Sequence, residues 1–441
     1  MALLIAFLVF LVSMISAIFT GYSMIIALLI GLVAFSTAAA RKGFGLKELG
    51  VMALDGAKGS LIVIEVMCVI GFVTASWRVS GTITIFVYYG MRIITPSLFL
   101  LIAFLLSCLL SYSLGTSFGV AGTVGVIFMT LARSGGVDPV ITAGVLMSGV
   151  YFGDRGSPVS SSANMVAGIT GTKIFDNVRL MMKTAVVPFV ITLTVYVVLS
   201  LANPISHVDG RLVASFEEEF ILSVWAFVPA VVMLVLPLLK VSVLISMGLS
   251  ILCAVLTACL VQGVPIFEVL KICIFGYQAQ GDGLGAILNG GGLVSMLEIV
   301  FILLISSSYS GIFSGTGLLD ELQERLSRAC TRFGRFTVML MMSIVTAAVF
   351  CNQTIATLMC CDLLKKPYLE GGSDAASMTE LAMDMENSVI LIACFIPWSI
   401  GCSVPLSFFG ADFHSLPFAI YMYAVPIFWL LMKKRWFAGK Q

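Results

Sequence analysis

The sequence predicts an all-α polytopic membrane protein: a helical bundle made of two inverted-topology repeats, with broken helices or re-entrant hairpins. The first observation is composition, because the 441 residues are 60% hydrophobic and only 11% charged. A water-soluble protein carries roughly a quarter charged residues, so this chain cannot cover itself with a polar surface. Many apolar runs also reach the ~18–20 residues that cross a bilayer.

The second observation is an internal repeat. Residues 56–95 contain Glu65 and residues 290–325 contain Glu298, and in each copy this acid is followed by an apolar run and the tripeptide Ser-Gly-Thr. When the tripeptides are aligned, the two acids fall within one residue of each other. A duplicated apolar unit with an acid in each copy is typical of secondary transporters built from repeats.

The apolar runs give the spans and the division of the chain. The predicted helices lie near residues 2–19, 22–39, 59–77, 97–113, 138–153, 184–202, 220–238, 241–262, 292–310, 336–350, 388–403 and 417–432. We predict four regions: N-terminal membrane helices (1–55), a first inverted repeat (56–202), a linking loop with connecting membrane helices (203–289), and a second repeat with a cytoplasmic C-terminus (290–441).

Four apolar pieces are interrupted by Gly, Pro or clustered polar residues. They are residues 115–131, 157–170, 351–361 and 396–408. Irregular backbone at membrane depth is tolerated only where protein or a water-filled cavity satisfies its polar groups. These pieces therefore predict re-entrant or unwound segments that converge on a substrate site.

Basic residues predict the orientation of the two repeats. They cluster at 41–47, 325–335 and 433–435, whereas the loop at 203–219 ends in three consecutive glutamates. The positive-inside rule places the basic clusters in the cytoplasm and the acidic loop outside. The first repeat then runs outward and the second runs inward, which is an inverted pair.

Polar residues in the interrupted pieces are the candidate substrate or ion ligands. The set is Thr116, Ser117, Asp154, Ser157, Ser160, Ser161, Asn164, Asn352, Gln353, Thr354, Glu386 and Asn387. Ionisable groups inside spans are costly and usually face a cavity or a partner. The competing structural explanations are a helix cap for Asp154, close helix packing for the glycines near Thr116, and a protonated interhelical hydrogen bond for the glutamates.

The sequence predicts neither catalytic chemistry nor a bound cofactor. His207 and His414 are isolated, and the adjacent Cys360 and Cys361 have poor geometry for a metal site or a disulfide. No His-Glu-x-x-His helix or Ser/His constellation indicates an intramembrane enzyme. A channel remains an alternative, but broken helices in inverted halves favour alternating access.

These motifs resemble the NhaC-type sodium/proton antiporters of the ion transporter superfamily. The similar stretches, each followed by the family pattern, are residues 75–82 with 88–90 (T-W-x-x-S-G-T…Y-Y-G), 115–125 (G-T-S-W-G-T-x-G-T-V-G), 153–164 (G-D-K-M-S-P-L-S-D-T-T-N), and 386–388 with 396–398 (L-E-D-S…I-P-W). The resemblance implies two inverted five-helix repeats plus extra helices, cation coupling and a multi-pass location in the inner membrane.

Two acids of the family pattern are neutral here, because Ser161 and Asn387 stand where the family has aspartate. Asp154 and Glu386 remain as titrating groups, and burial can bring a carboxyl group into the working pH range. We therefore expect Na⁺/H⁺ antiport, with Na⁺ as transported or coupling ion. The alternative is Na⁺- or H⁺-coupled transport of an amino acid or small organic acid.

The expected partners are the lipid bilayer and a small-molecule or ion substrate. The formal net charge of +1 argues against a nucleic-acid partner. A homodimer is compatible with the sequence.

Overall fold

The computed structural model describes an α-helical membrane protein. It covers residues 2–93, 96–205, 210–239, 241–279, 284–317, 320–369 and 375–438. Within these ranges no β-strand occurs, and an isolated backbone bridge joins Tyr277 to Gly290. The predicted all-α class is confirmed.

The helices follow one another with short connections. The first half contains α1 (Ala2–Thr20), α2 (Met24–Ala40), α3 (Leu46–Lys58), α4 (Leu61–Val79), α5 (Thr82–Ile93), α6 (Phe99–Leu114), α7 (Ser117–Val120), α8 (Val126–Ser134), α9 (Pro139–Gly156), α10 (Ser161–Thr170), α11 (Ile174–Ala202) and α12 (Gly210–Glu219). The second half contains α13 (Val228–Leu238), α14 (Val243–Leu260), α15 (Ile266–Phe275), α16 (Gly285–Leu288), α17 (Leu297–Thr316), α18 (Asp320–Phe333), α19 (Arg335–Phe350), α20 (Gln353–Leu369), α21 (Ala375–Glu386), α22 (Val389–Ile392), α23 (Ile400–Phe409) and α24 (Ile420–Ala438).

Several of these helices are suited to cross a bilayer. Among the described residues, five are long and apolar enough by themselves, and the number rises to seven if each of two bent helix pairs counts as one span. One pair is α4 with α5, bent by 63°, and the other runs from α21 through α22 to α23, bent by 55°. The protein is therefore a multi-pass membrane protein with broken spans.

One predicted span is wrong. The sequence favours a continuous helix over 388–403, but the chain leaves the helical path at Asn387–Ser388 and again at 396–399. Pro397 lacks an N–H and disfavours helical backbone in the residue before it, which explains the second break. The break at 396–399 falls within the interrupted piece predicted at 396–408, whereas the break at Asn387–Ser388 falls outside it.

The predicted interruptions are present but shorter than expected. In the first half, only Gly115–Thr116 and residues 157–160 leave the helical path, and α10 follows at once. Contrary to expectation, 117–134 forms one helical span, with a π-helical segment over 121–125 that joins α7 to α8. Its glycines serve close packing, because a Cβ on Gly125 would collide with the Phe409 ring.

The two halves have matching helix boundaries. Gly115 and Cys351, which end α6 and α19, both adopt left-handed backbone. Helices α10 and α23 both have ten residues, begin after a serine N-cap and end at a left-handed glycine. This shared pattern is consistent with duplication, while the inverted orientation of the copies stays a prediction.

Two hydrophobic cores meet around the broken segments. The larger core includes side chains of α1, α2, α6, α8 and α9, and the second includes side chains of α10, α19, α20 and α21. The end of α9 therefore lies where the two cores meet, beside the start of α20 and the end of α21.

Candidate functional site

Helix α9 carries two adjacent charged residues into the protein interior. Asp154 is 3% exposed and Arg155 is 0% exposed. The helix reaches this depth because Gly153 lets it touch the backbone of α6, and it ends at Gly156 before Pro158. A buried Asp-Arg sequence at a helix end requires specific partners for both charges.

The Asp154 carboxylate is held by neutral hydrogen-bond donors. Ser162 Oγ donates to its Oδ1 over 3.1 Å, and Gln353 Nε2 donates to its Oδ2 over 3.1 Å. The hydroxyl group of Ser160 donates to the backbone oxygen of Asp154 at 2.5 Å and lies 3.4 Å from Oδ1. Asp154 does not cap a helix at the surface, so that structural explanation is not supported.

Arg155 donates hydrogen bonds to α11, to α24 and to the residue that follows α21. Its Nη1 donates to the Tyr421 hydroxyl at 3.1 Å, and its Nη2 donates to Thr184 Oγ1 at 2.8 Å. The same Nη2 also donates to Asn387 Oδ1 and to the Met181 carbonyl oxygen. The guanidinium group is thus fixed by neutral oxygens, and no ion pair with a described residue cancels its positive charge.

Glu386 ends α21 and is completely buried. Among the described residues neither of its carboxyl oxygens has a hydrogen-bond partner, and the charges of Arg155 and Asp154 both act on it. The neighbouring Asn387 uses its Oδ1 for Arg155, while its Nδ2 has no partner in the described part of the chain. A charged carboxylate in this position would need a proton or a nearby cation to compensate it.

The other candidate residues mainly shape the breaks. Thr116 accepts from Gly119 N at 3.3 Å, and Asn352 Oδ1 accepts from Thr354 N at 2.9 Å, so both serve as N-caps. Ser157 donates to the Tyr112 carbonyl oxygen, and Asn164 donates to the Pro158 carbonyl oxygen at 2.9 Å.

The remaining candidates differ in exposure. Ser117 is buried in α7, next to α9, whereas Ser161 and Thr354 are exposed. The repeat acids Glu65 and Glu298 are also exposed, on α4 and α17 respectively. These two glutamates are therefore not part of the buried cluster at Asp154.

Two ligands of Arg155 were missed by sequence reasoning. Thr184 and Tyr421 each occur in a long apolar helix, where one polar residue carries little information. The sequence could indicate only that a buried arginine, with five N–H groups, needs several hydrogen-bond acceptors. The sequence does not show which distant helices supply them.

A second buried charge network lies on the same helix as Glu386. Asp384 Oδ1 accepts from Trp429 Nε1 at 2.8 Å, and its Oδ2 accepts from Tyr368 and Lys433. Lys433 also pairs with Glu380 at 2.6 Å, and Glu380 pairs with Arg335 at 3.2 Å. These contacts join α19, α20, α21 and α24. Because every charge in the network has an opposite partner, it needs no ligand to compensate it.

The described residues contain no cluster of three or more His, Cys, Asp or Glu side chains suited to hold a metal ion. His414 is exposed and lies 2.9 Å from Asp412. His207 lies outside the described residues.

Comparisons with known proteins agree with this geometry. The sequence profile described as the Na⁺/H⁺ antiporter family matches residues 149–433, which include Asp154, Gln353 and Glu386. The Na⁺/H⁺ antiporter NhaC of Alkalihalophilus pseudofirmus is 27% identical over 395 residues, covering 88% of this chain and 85% of that protein.

Relatives with other substrates are about equally similar. The malate-2H⁺/Na⁺-lactate antiporter of Bacillus subtilis is 25% identical, with 90% of this chain and 84% of that protein covered. The arginine/ornithine antiporter ArcD of Halobacterium salinarum is 27% identical, with 91% and 84% covered.

Proposed function

Because the chain belongs to the Na⁺/H⁺ antiporter family, we propose that it exchanges Na⁺ for H⁺ across the cell (inner) membrane by alternating access. In this proposal Asp154 and Glu386 are the groups that couple the two ions. The observation that carries it is the buried Glu386 carboxyl group, which has no hydrogen-bond partner among the described residues and lies within the electrostatic reach of Asp154 and Arg155.

The charges of the site provide the coupling. Asp154 carries one negative charge and Arg155 one positive charge, so the site is neutral when Glu386 is protonated. Loss of that proton gives the site a net negative charge, which is expensive to bury without a cation. Na⁺ and the Glu386 proton therefore compete, since either one restores neutrality.

Asp154 is the proposed Na⁺ ligand. Hard cations prefer oxygen ligands, and its carboxylate is accompanied by the hydroxyl groups of Ser160 and Ser162. The donors that now hold the carboxylate are neutral, so Na⁺ can approach it without displacing a competing positive charge.

The neutral Asn387 also fits this proposal. Its amide oxygen accepts from Arg155, so an aspartate at this position would pair with the guanidinium group and cancel its charge. With asparagine, the Arg155 charge stays available to balance Asp154. The loss of one family acid is thereby consistent with a site that still alternates between two protonation states.

The position of the site suits alternating access. Asp154 and Arg155 belong to a helix of the larger hydrophobic core, while Gln353 and Glu386 belong to helices of the second core. Relative movement of the two cores would change access to the site while keeping each half packed.

Transport in proteoliposomes tests the proposal. Purified protein is reconstituted, and Na⁺ uptake driven by an imposed pH gradient is measured for wild type, Asp154→Asn and Glu386→Gln. Both variants should lose gradient-driven Na⁺ uptake, because each removes one of the two coupled charges. The exposed Glu298 supplies a matched control, and Glu298→Gln should transport like wild type.

A panel of labelled amino acids and organic acids in the same vesicles distinguishes the alternative substrates. Full pH-driven Na⁺ uptake by both Asp154→Asn and Glu386→Gln would contradict the proposal. Uptake of an organic solute without Na⁺/H⁺ exchange in the wild type would instead assign the protein to the solute-transporting relatives.

A further inference from the structure

A further buried charge, separate from the residues at Asp154, has no opposite partner among the described residues. Arg78 is the penultimate residue of α4, just before the bend into α5, and is only 8% exposed. Its Nη1 donates to the Thr74 carbonyl oxygen at 2.7 Å, while its Nε has no hydrogen-bond partner among the described residues. A buried guanidinium group whose hydrogen bonds within the described part of the chain go to its own helix is poorly compensated.

The charged neighbour of Arg78 has the same sign. Within the described residues, the ionisable group that acts on Arg78 is Arg133 of α8, and Arg78 forms no salt bridge with a carboxylate. Arg133 donates to the carbonyl oxygens of Phe409 and Gly410, at 2.7 and 2.9 Å. Two neighbouring positive charges repel each other in a medium of low polarity, so an anion would stabilise both.

A run of glycines lies beside the Arg78 guanidinium group. Residues 290–292 are three glycines, all with positive φ, and Gly292 N donates to the Gly71 carbonyl oxygen of α4 at 3.0 Å. A side-chain carbon built on Gly290 would lie 3.9 Å from Arg78 Nη2 and would meet no other described atom within 4 Å.

Burial, the absence of a paired carboxylate among the described residues and the second arginine thus favour the same kind of ligand.

We propose that Arg78, beside the bend between α4 and α5, is the centre of a binding site for a small anion, either chloride or a compact monocarboxylate. This goes beyond Na⁺/H⁺ exchange, because neither exchanged ion is an anion and the site uses none of the residues around Asp154. It requires no transported anion, since a resident one would compensate Arg78 equally well.

Anion-dependent stability tests the proposal. The thermal unfolding midpoint of the purified protein in detergent is measured at constant Na⁺ and ionic strength, with gluconate replaced stepwise by chloride or by acetate. The proposal expects a saturable rise of the midpoint with at least one of the two anions, because a ligand of the native state stabilises it. The response to chloride or to acetate identifies the preferred chemistry.

Two variants and a control locate the site. Arg78→Met should lose the saturable response, whereas Arg328→Met, which removes an exposed arginine from α18, should keep it. If Arg78→Met does not fold, Arg78→Lys decides, because lysine keeps the charge but lacks the planar donor group and should need a severalfold higher anion concentration. The proposal is overturned if neither anion stabilises the wild type, if Arg78→Met keeps the response, or if Arg78→Lys binds with unchanged affinity.

Discussion

The ion pair between Asp384 and Lys433 should contribute strongly to the stability of the second core, so breaking it should lower the free energy of unfolding. Lys433→Met removes the positive charge and keeps most of the apolar side chain. Among the described residues it leaves the fully buried Asp384 with the Tyr368 and Trp429 donors. Removing one partner of a buried pair costs about 3–5 kcal/mol, and the two remaining donors place our expectation near the lower limit, about 3 kcal/mol.

Replacing the acidic partner instead should lower the free energy of unfolding by less. Asp384→Asn leaves Lys433 paired with Glu380 at 2.6 Å, and the introduced amide oxygen would still accept a hydrogen bond, so we expect a loss of about 1–2 kcal/mol. In the double variant no uncompensated charge is buried. Its cost should therefore be about 2 kcal/mol instead of the sum of the single costs, which is a coupling of about 2–3 kcal/mol.

The assay is a double-mutant cycle in mixed micelles. The free energy of unfolding is measured by titrating a denaturing detergent and following helicity for wild type, both single variants and the double variant. Costs that add to within about 0.5 kcal/mol would refute the reasoning, because independent sites behave in that way. A cost of Lys433→Met well below 1 kcal/mol would show that the pair behaves like an exposed one.

Two further predictions concern the end of α9. Arg155→Lys keeps the charge, but lysine cannot reach acceptors on several helices at once. Na⁺ transport in proteoliposomes should therefore fall by at least about tenfold. The control, Arg179→Lys on the exposed side of α11, should have no effect in the same vesicles. Unchanged transport by Arg155→Lys would contradict the positioning role. Gly153→Ala should reduce the yield of folded protein or lower the free energy of unfolding by about 1–3 kcal/mol, because its Cβ would collide with the backbone of α6. The control, Gly168→Ala, meets no atom within 4 Å and should be neutral or stabilising by up to ~1 kcal/mol. Equal unfolding midpoints for the two alanine variants would contradict the packing argument.

The long apolar helices were predictable because their physics is local. A run of about twenty apolar residues can satisfy its backbone in a membrane only as a helix, so α1, α2 and α14 follow from composition. Helices α3 and α18 were missed because their apolar residues are interrupted by charges, as in an amphipathic surface helix. The break at 396–399 lies within a piece that the sequence predicts to be interrupted, because it contains Pro397, whereas no proline or glycine marks the break at Asn387–Ser388.

The site was predictable in residue type but not in pairing. Asp154, Gln353 and Glu386 are polar residues in apolar surroundings, which made them candidates. That Gln353 donates to Asp154 depends on the packing of α20 against the end of α9, which no local pattern encodes. The sequence predicts a cytoplasmic position for Lys433 but not its partners: its side chain is only 13% exposed because Asp384 and Glu380 bind it.

Proton release on Na⁺ binding tests the competition between Na⁺ and the Glu386 proton most directly. Na⁺ is added to purified protein in a weakly buffered detergent solution, and the pH change is recorded against an equal addition of a large organic cation. The site at Asp154 and Glu386 should release about one proton for each Na⁺ bound by the wild type, since binding of a cation displaces a proton from a shared site. Glu386→Gln should release none, whereas release of the same number of protons by Glu386→Gln would show that another group carries the proton.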